Sequence, residues 1–395
     1  MSPPKRSQDV SLSALALVVF VAMTGFGIFI PMFPFIGLHL NASATEITFA
    51  MGAYSVGQLI AAPLWGRVSD LIGRKPVLIL GLLGAAGSYL LITLAGSILE
   101  MGLARLFGGL MAGNIGAAFA AAADLADEKT RARNMGVVGA AFGFGFIVGP
   151  ALAGLAIGAE PTADDFHRLC HYAAGFAGAA ALAAALGLRE TAPLAETRAS
   201  GPAPRLRLLR TRPLLTQLVL AMFLLITANS VMETIFGIWA DHRVGWRMRE
   251  VAYLMAALGL LTVLMQGGAA GLLARRYGEP RVFNAGVLAF VAGFLVLGFA
   301  SGAPTALAGL GLLAVGAGLA QPALQSLIAA QAAPSERGAV MGLSQSASAL
   351  GRAVGAVIAG PVFDGLGPGA PFFLGAALLV LALTPAIARP AALNP

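Results

Sequence analysis

The sequence predicts an all-α membrane protein with twelve transmembrane helices in two pseudo-symmetric six-helix bundles. Three observations carry this reading. The 395 residues are 58% hydrophobic and only 11% charged, against about 25% charged residues in a soluble domain. Apolar runs recur along the whole chain, and about 20 such residues cross the roughly 30 Å of hydrocarbon. Finally, the charged stretch at 66–76 has a fainter copy at 271–278, as a duplicated architecture requires.

The expected spans are 12–38, 47–70, 77–96, 98–123, 134–158, 170–188, 213–239, 250–273, 282–301, 303–330, 338–362 and 369–388. The first is too long for the apolar core of a cleaved signal peptide and lacks a small-residue cleavage site, so it reads as a span. A glycine-punctuated charged turn, Gly66-x-x-x-Asp70-x-x-Gly73-Arg74-Lys75, separates the second and third spans. Gly66 would let helices approach closely, Gly73 would permit a tight turn, and Asp70 would sit on the positive end of a helix. The fourth span carries Arg105, with Gly109, Gly113 and Asn114 after it. An arginine at a helix centre costs about 2.5–3.5 kcal/mol on insertion scales, so it faces the interior or snorkels to the outer interface.

The fifth span reads Gly136-x8-Gly145-x3-Gly149-Pro150-x2-Ala153-Gly154. Small residues on one face favour close packing and the proline a kink. After it, His167, Cys170 and His171 are expected in a solvated outer loop. The polar stretch 189–212, rich in Pro, Gly and Arg, reads as a linker. It splits the chain into bundles at 1–188 and 213–395. In the seventh span Glu233 is the only carboxylate placed well inside hydrocarbon, with Asn229 one turn before it. It is either a proton carrier or a structural ion-pair partner of Arg352 in the eleventh span. Gln321 and Gln325 in the tenth either line a cavity or join helices. The halves also align at an offset of 206: Arg131, Met135, Gly136, Gly149 and Gly154 fall on Arg337, Met341, Gly342, Gly355 and Gly360.

Charge placement sets orientation. Most of the 25 Lys and Arg fall on the side that holds both termini and the linker, which is therefore cytoplasmic. The net charge of +7 thus reflects topology rather than a nucleic-acid partner. No phosphate-binding G-x4-G-K-[ST] loop occurs, which argues against an ATP-driven pump. No metal site and no enzymatic constellation is expected.

The 66–75 turn resembles the signature loop of the major facilitator superfamily, and 136–154 resembles the fifth-helix signature of that family's antiporters, departing only at Ala153. Residues Gly25–Pro34 resemble the first helix of the drug/proton antiporter group with twelve helices, and the fourth-to-fifth helix region resembles the tetracycline/proton antiporters. The subgroup's acid before the first-helix glycine is replaced here by Ala22. The resemblance implies that Arg74 pairs with Asp124. It also implies that Gly66, Asp70, Gly73, Arg74 and Asp124 latch the bundles, and that Arg105 takes part in proton transfer. Gly145, Gly149, Pro150 and Gly154 would then form the gate helix.

The expected function is proton-coupled export of a mainly apolar or cationic organic compound, as in multidrug or antibiotic efflux, by alternating access. Glu233 and Arg105 would couple the proton; Asn114, Asn229, Gln321, Gln325 and Arg352 would line the cavity. No cofactor is expected, since the proton gradient drives the cycle. A multi-pass monomer in a bacterial inner membrane is expected, with the lipid bilayer, protons and a small solute as its partners. The alternative is export of a metabolite such as a sugar, amino acid or siderophore, or of a lysolipid, on the same fold.

Overall fold

The computed structural model describes residues 5–126, 130–158, 161–191, 205–332 and 336–383. Residues 192–204 of the expected linker, and the end of the expected last span beyond 383, lie outside them. All regular structure among the described residues is helical. In chain order the helices are α1 (Lys5–His39), α2 (Ala44–Ile72), α3 (Arg74–Thr93), α4 (Ile98–Leu110), α5 (Asn114–Asp124), α6 (Arg131–Ala156), α7 (Ala163–Gly187) and α8 (Arg205–Thr211). They continue as α9 (Pro213–Val244), α10 (Met248–Leu264), α11 (Ala270–Tyr277), α12 (Glu279–Gly298), α13 (Ala303–Ala330), α14 (Arg337–Leu366) and α15 (Ala370–Ala382). Eleven helical segments among the described residues are long and apolar enough to cross a membrane, and α15 is a shorter apolar twelfth.

Two expected spans are not continuous α-helices. The fourth breaks into α4 and α5 at Met111–Gly113. The indole of Trp65 donates from Nε1 to the Leu110 carbonyl at 2.7 Å, which satisfies an acceptor at the end of α4. The eighth span passes through a π-helical turn, Met265–Ala269, between α10 and α11. The sixth span starts earlier than expected, because a capping box nucleates α7. Asp165 N–H donates to Thr162 Oγ1 at 3.3 Å and Thr162 N–H to Asp165 Oδ2 at 2.9 Å. As a correction, His167, Cys170 and His171 lie on this helix rather than in a loop, with Cys170 buried.

The chain divides into two compact units. One comprises Met1–Ala42, Phe49–Thr197 and Trp246–Ala257; the other comprises Ser43–Thr48, Arg198–Gly245 and Leu258–Pro395. In the first, α1 packs most extensively on α6 and α7, and α3 on α7. In the second, α9 packs on α14 and α15, and α12 on α13. The start of α2 groups with the second unit because Gly360 of α14 lies against it. A Cβ at Gly360 would sit 2.5 Å from the Ala44 carbonyl oxygen. Beside it, Asp364 Oδ2 accepts from Thr45 N at 2.8 Å and Thr45 Oγ1 at 2.6 Å. Equivalently, Gly154 of α6 lies against the ring of Tyr253, at the start of α10, in the first unit.

Candidate functional site

The charged turn is a hydrogen-bonded hub within the first unit. Gly73 separates α2 from α3 at φ +100°, a conformation that disfavours any residue with a Cβ; here an added Cβ would also collide with the Glu190 carboxylate. Glu190 occupies that space because it caps α3. It accepts from Arg74 N at 2.8 Å and Lys75 N at 3.1 Å, satisfying two of the donors every helix start leaves open. Arg74 donates from Nη1 to Asp70 Oδ1 at 2.7 Å and Ser69 Oγ at 2.9 Å, and from Nε to Asp124 Oδ2 at 3.1 Å. Lys75 Nζ donates to the Ala185 and Leu188 carbonyls, both at 2.7 Å, at the end of α7. The turn thereby ties together the ends of α2, α3, α5 and α7. Asp70, Gly73, Arg74 and Asp124 meet in one cluster. At Gly66, by contrast, an added Cβ would meet nothing within 4 Å. The close approach expected there is absent among the described residues.

The α6 glycines face α1. A Cβ at Gly145 would lie 2.6 Å from Met23 Cβ and 2.7 Å from the Phe20 carbonyl oxygen; one at Gly149 would lie 2.5 Å from the Thr24 oxygen and 2.6 Å from Gly27 Cα. Reciprocally, a Cβ at Gly27 would lie 2.9 Å from Pro150 Cδ. The second unit repeats the arrangement on α14 against α9. A Cβ at Gly351 would lie 2.8 Å from the Phe223 oxygen, and one at Gly355 2.5 Å from the Thr227 oxygen. The pairs obey the offset of 206 found in the sequence. The charged turn is duplicated too: Gly278, at φ +85°, separates α11 from α12 as Gly73 separates α2 from α3.

Arg105 of α4 is buried, with 6% of its surface accessible. Its guanidinium carbon lies 4.3 Å from the Tyr54 ring centroid, 4.8 Å from Phe29, and 5.9 Å from both Phe26 and Phe33. It is therefore packed among rings and does not snorkel. A cation over an aromatic face gains about 0.5–2 kcal/mol, so the nearer rings offset much of the burial. They do not satisfy its hydrogen-bonding capacity: Nε has no partner among the described residues. Asn114 lines the same cavity, whose volume is about 20 Å³, room for about one water molecule.

In the second unit, Asn229 Nδ2 donates to Glu233 Oε1 at 2.7 Å, one turn apart on α9. The Arg352 guanidinium on α14 acts on this carboxylate through its charge. Ser230 Oγ donates to the Arg352 carbonyl at 2.8 Å and fastens the two helices. Glu233 is accessible, although Val231, Thr234 and Ile235 around it are buried. Glu233 lies part-way along the membrane-spanning α9, on the face it shares with Asn229 and that the protein leaves uncovered. Gln321 and Gln325 are half-buried on α13.

Two groups escaped the sequence reading. Glu190 lies 115 positions from Lys75, and nothing local announces a cap at that separation. The aromatic cage left a signal in the i, i+3, i+7 spacing of Phe26, Phe29 and Phe33, which places them on one face of α1.

Comparison with known proteins places this architecture. The major facilitator superfamily model matches residues 15–275 and 218–393. The chain is 30% identical over 389 residues to the class D tetracycline resistance protein of Salmonella ordonez, covering 96% of this chain and 97% of that one. It is 28% identical over 359 residues to multidrug resistance protein 2 of Bacillus subtilis, covering 88% and 87% respectively. The crystal structure of the human organic anion transporter MFSD10 superposes with a TM-score of 0.71 at 26% identity, over 96% of this chain and 99% of that one. The chain is a multi-pass membrane transporter of the major facilitator superfamily.

Proposed function

We propose that the protein is a proton-coupled antiporter that exports a mainly apolar or cationic organic compound by alternating access, in the manner of multidrug or antibiotic efflux. The observation that carries this reading is Glu233: an accessible carboxylate part-way along a membrane helix, hydrogen-bonded to Asn229 and under the charge of Arg352. Such a group exchanges a proton for a positive neighbour without leaving the membrane. The tetracycline and multidrug resistance proteins among its relatives support the direction and the kind of cargo.

In the proposed cycle a proton from outside binds Glu233 and weakens its hold on Arg352. The bundles, 1–188 and 213–395 joined by the linker 189–212, then rock about the cargo site, and the proton leaves to the cytoplasm. Gly145, Gly149, Pro150 and Gly154 provide the packed helix that seals against leak. The Arg74 cluster latches one state, and Arg105, buried beside the Tyr54 and Phe29 rings, takes part in proton transfer. Asn114, Gln321 and Gln325 contribute to cargo contacts. One elementary charge is worth about 2.3 kcal/mol per 100 mV, so the gradient suffices and no cofactor is needed. The protein works as a monomer in the bacterial inner membrane, with both termini cytoplasmic.

The test is uptake into everted membrane vesicles of tetracycline, ethidium and naphthalene-2-carboxylate, with and without an imposed pH gradient. At least one compound should accumulate only with the gradient. Accumulation indifferent to the gradient would overturn proton coupling.

A further inference from the structure

We propose that the charged turn after the eighth span, together with the uncovered helix face that leads to it, seats an anionic phospholipid. The proposal needs only that the chain spans a membrane; it depends on neither the cargo nor the proton coupling.

The two charged turns share a shape but not an electrostatic plan. At an offset of 205, Gly66, Asp70, Gly73 and Arg74 fall on Gly271, Arg275, Gly278 and Glu279. In the first turn Arg74 is answered by Asp70 and Asp124, and Lys75 by two backbone carbonyls. In the second, Arg275 stands where the acid stood. The one carboxylate of that turn, Glu279, already accepts from Ser326 Oγ. Arg275, Arg276 and Arg281 are exposed, and none of them pairs with a carboxylate among the described residues. Arg276 lies 5.3 Å from the ring centroid of Tyr277, which is itself 46% exposed. Three uncompensated charges thus gather at the end of a span around a tyrosine, a residue that settles at headgroup level.

Water would hydrate such arginines on any loop; the helix face beneath them sets these apart. The span formed by α10 and α11 is the least covered of the eleven. Gly267 and Gly271 precede Arg275 at intervals of one turn and so share its face. Both are exposed, and an added Cβ at either would meet nothing within 4 Å. Leu272, 67% exposed, stands beside them one turn before Arg276. A strip bare of side chains therefore runs about 12 Å from Arg275 into the hydrocarbon. An acyl chain can lie along it while the phosphate meets the guanidinium forks, as basic pockets at span ends hold anionic headgroups. A soluble anion would gain nothing from the strip. A choline headgroup would bring a positive charge of its own to the arginines.

Native mass spectrometry of the full chain, released from detergent with equal amounts of phosphatidylglycerol and phosphatidylcholine of identical acyl chains, tests this. The wild type should retain phosphatidylglycerol at least about tenfold over phosphatidylcholine, given the worth of each arginine near a membrane surface. Neutralising the cluster with Arg275→Gln, Arg276→Gln and Arg281→Gln together should abolish that preference. Arg67→Gln with Arg189→Gln, beside the first turn, should leave it intact. Gly271→Leu keeps every charge but fills the strip, and should weaken retention of phosphatidylglycerol about fourfold, the worth of one methylene contact. Equal retention of the two lipids by the wild type overturns the proposal, and this comparison needs no variant to fold. An equal loss from the variant at Arg67 and Arg189 overturns it too, since the preference would then belong to cytoplasmic charge in general. Unchanged retention by Gly271→Leu overturns the seat along the helix face.

Discussion

Replacing Gly149 with alanine should loosen the α1–α6 pair that the gate depends on. The new methyl would sit 2.5 Å from the Thr24 carbonyl oxygen, 2.6 Å from Gly27 Cα and 2.7 Å from Gly27 C. All three are backbone atoms, so no rotamer change relieves the clash and α1 must shift. Overpacking of this kind costs about 1–3 kcal/mol. Gly136 lies on the same helix, is exposed, and an added Cβ there meets nothing within 4 Å. Gly136→Ala should therefore gain about 1 kcal/mol from helix propensity alone. The two variants make the same chemical change on one helix and differ only in what the methyl meets. The propensity gain is common to both, so their stabilities should differ by the clash alone, about 1–3 kcal/mol. The assay is thermal unfolding of the purified variants in one detergent, followed by size-exclusion fluorescence. A Gly149→Ala protein that melts at or above the temperature of Gly136→Ala would refute the close-packing account of the α6 glycines.

Two further perturbations probe the structural devices beside it. Glu190→Gln removes the negative charge from the start of α3 and should destabilise the protein by about 0.5–2 kcal/mol, read by the same unfolding assay; an unchanged melting temperature would show that the cap contributes nothing. Trp65→Phe strips the donor from the Leu110 carbonyl at the α4–α5 break. It should cost about 1–3 kcal/mol and speed hydrogen exchange at 111–114, whereas unaltered exchange there would mean the indole does not hold the break.

Much of this architecture was legible because its signals are local or periodic. Apolar run lengths placed the helices, and the offset of 206 foretold that Gly149 and Gly355 would make the same packing contact in the two halves. Arg74 met Asp124 as the family resemblance implied. The misreadings have physical causes. Cys170 and its neighbours looked like a loop because polar residues begin α7, and the Thr162–Asp165 capping box that makes them helical outweighs their poor hydropathy. The α4–α5 break was invisible because hydropathy does not register a helix interruption, and its satisfying donor, Trp65, comes from another helix. That the protein leaves the Glu233 face of α9 uncovered was not legible either, since a sequence shows that a residue lies in a span but not which face of the helix its neighbours cover. Arg105 stood out in the sequence as a charge within a span, but its cage depends on Tyr54, whose approach is a tertiary fact.

The central claim is that Glu233 carries the coupled proton. Proteoliposomes loaded with the pH dye pyranine report it directly when the panel compound that accumulates fastest in everted vesicles is applied across the membrane. For the wild type, addition of that compound should change the lumenal pH as protons move against it. Glu233→Gln protein, reconstituted to the same density, should show no pH change while still binding the compound. A proton signal of wild-type size from Glu233→Gln would contradict the account.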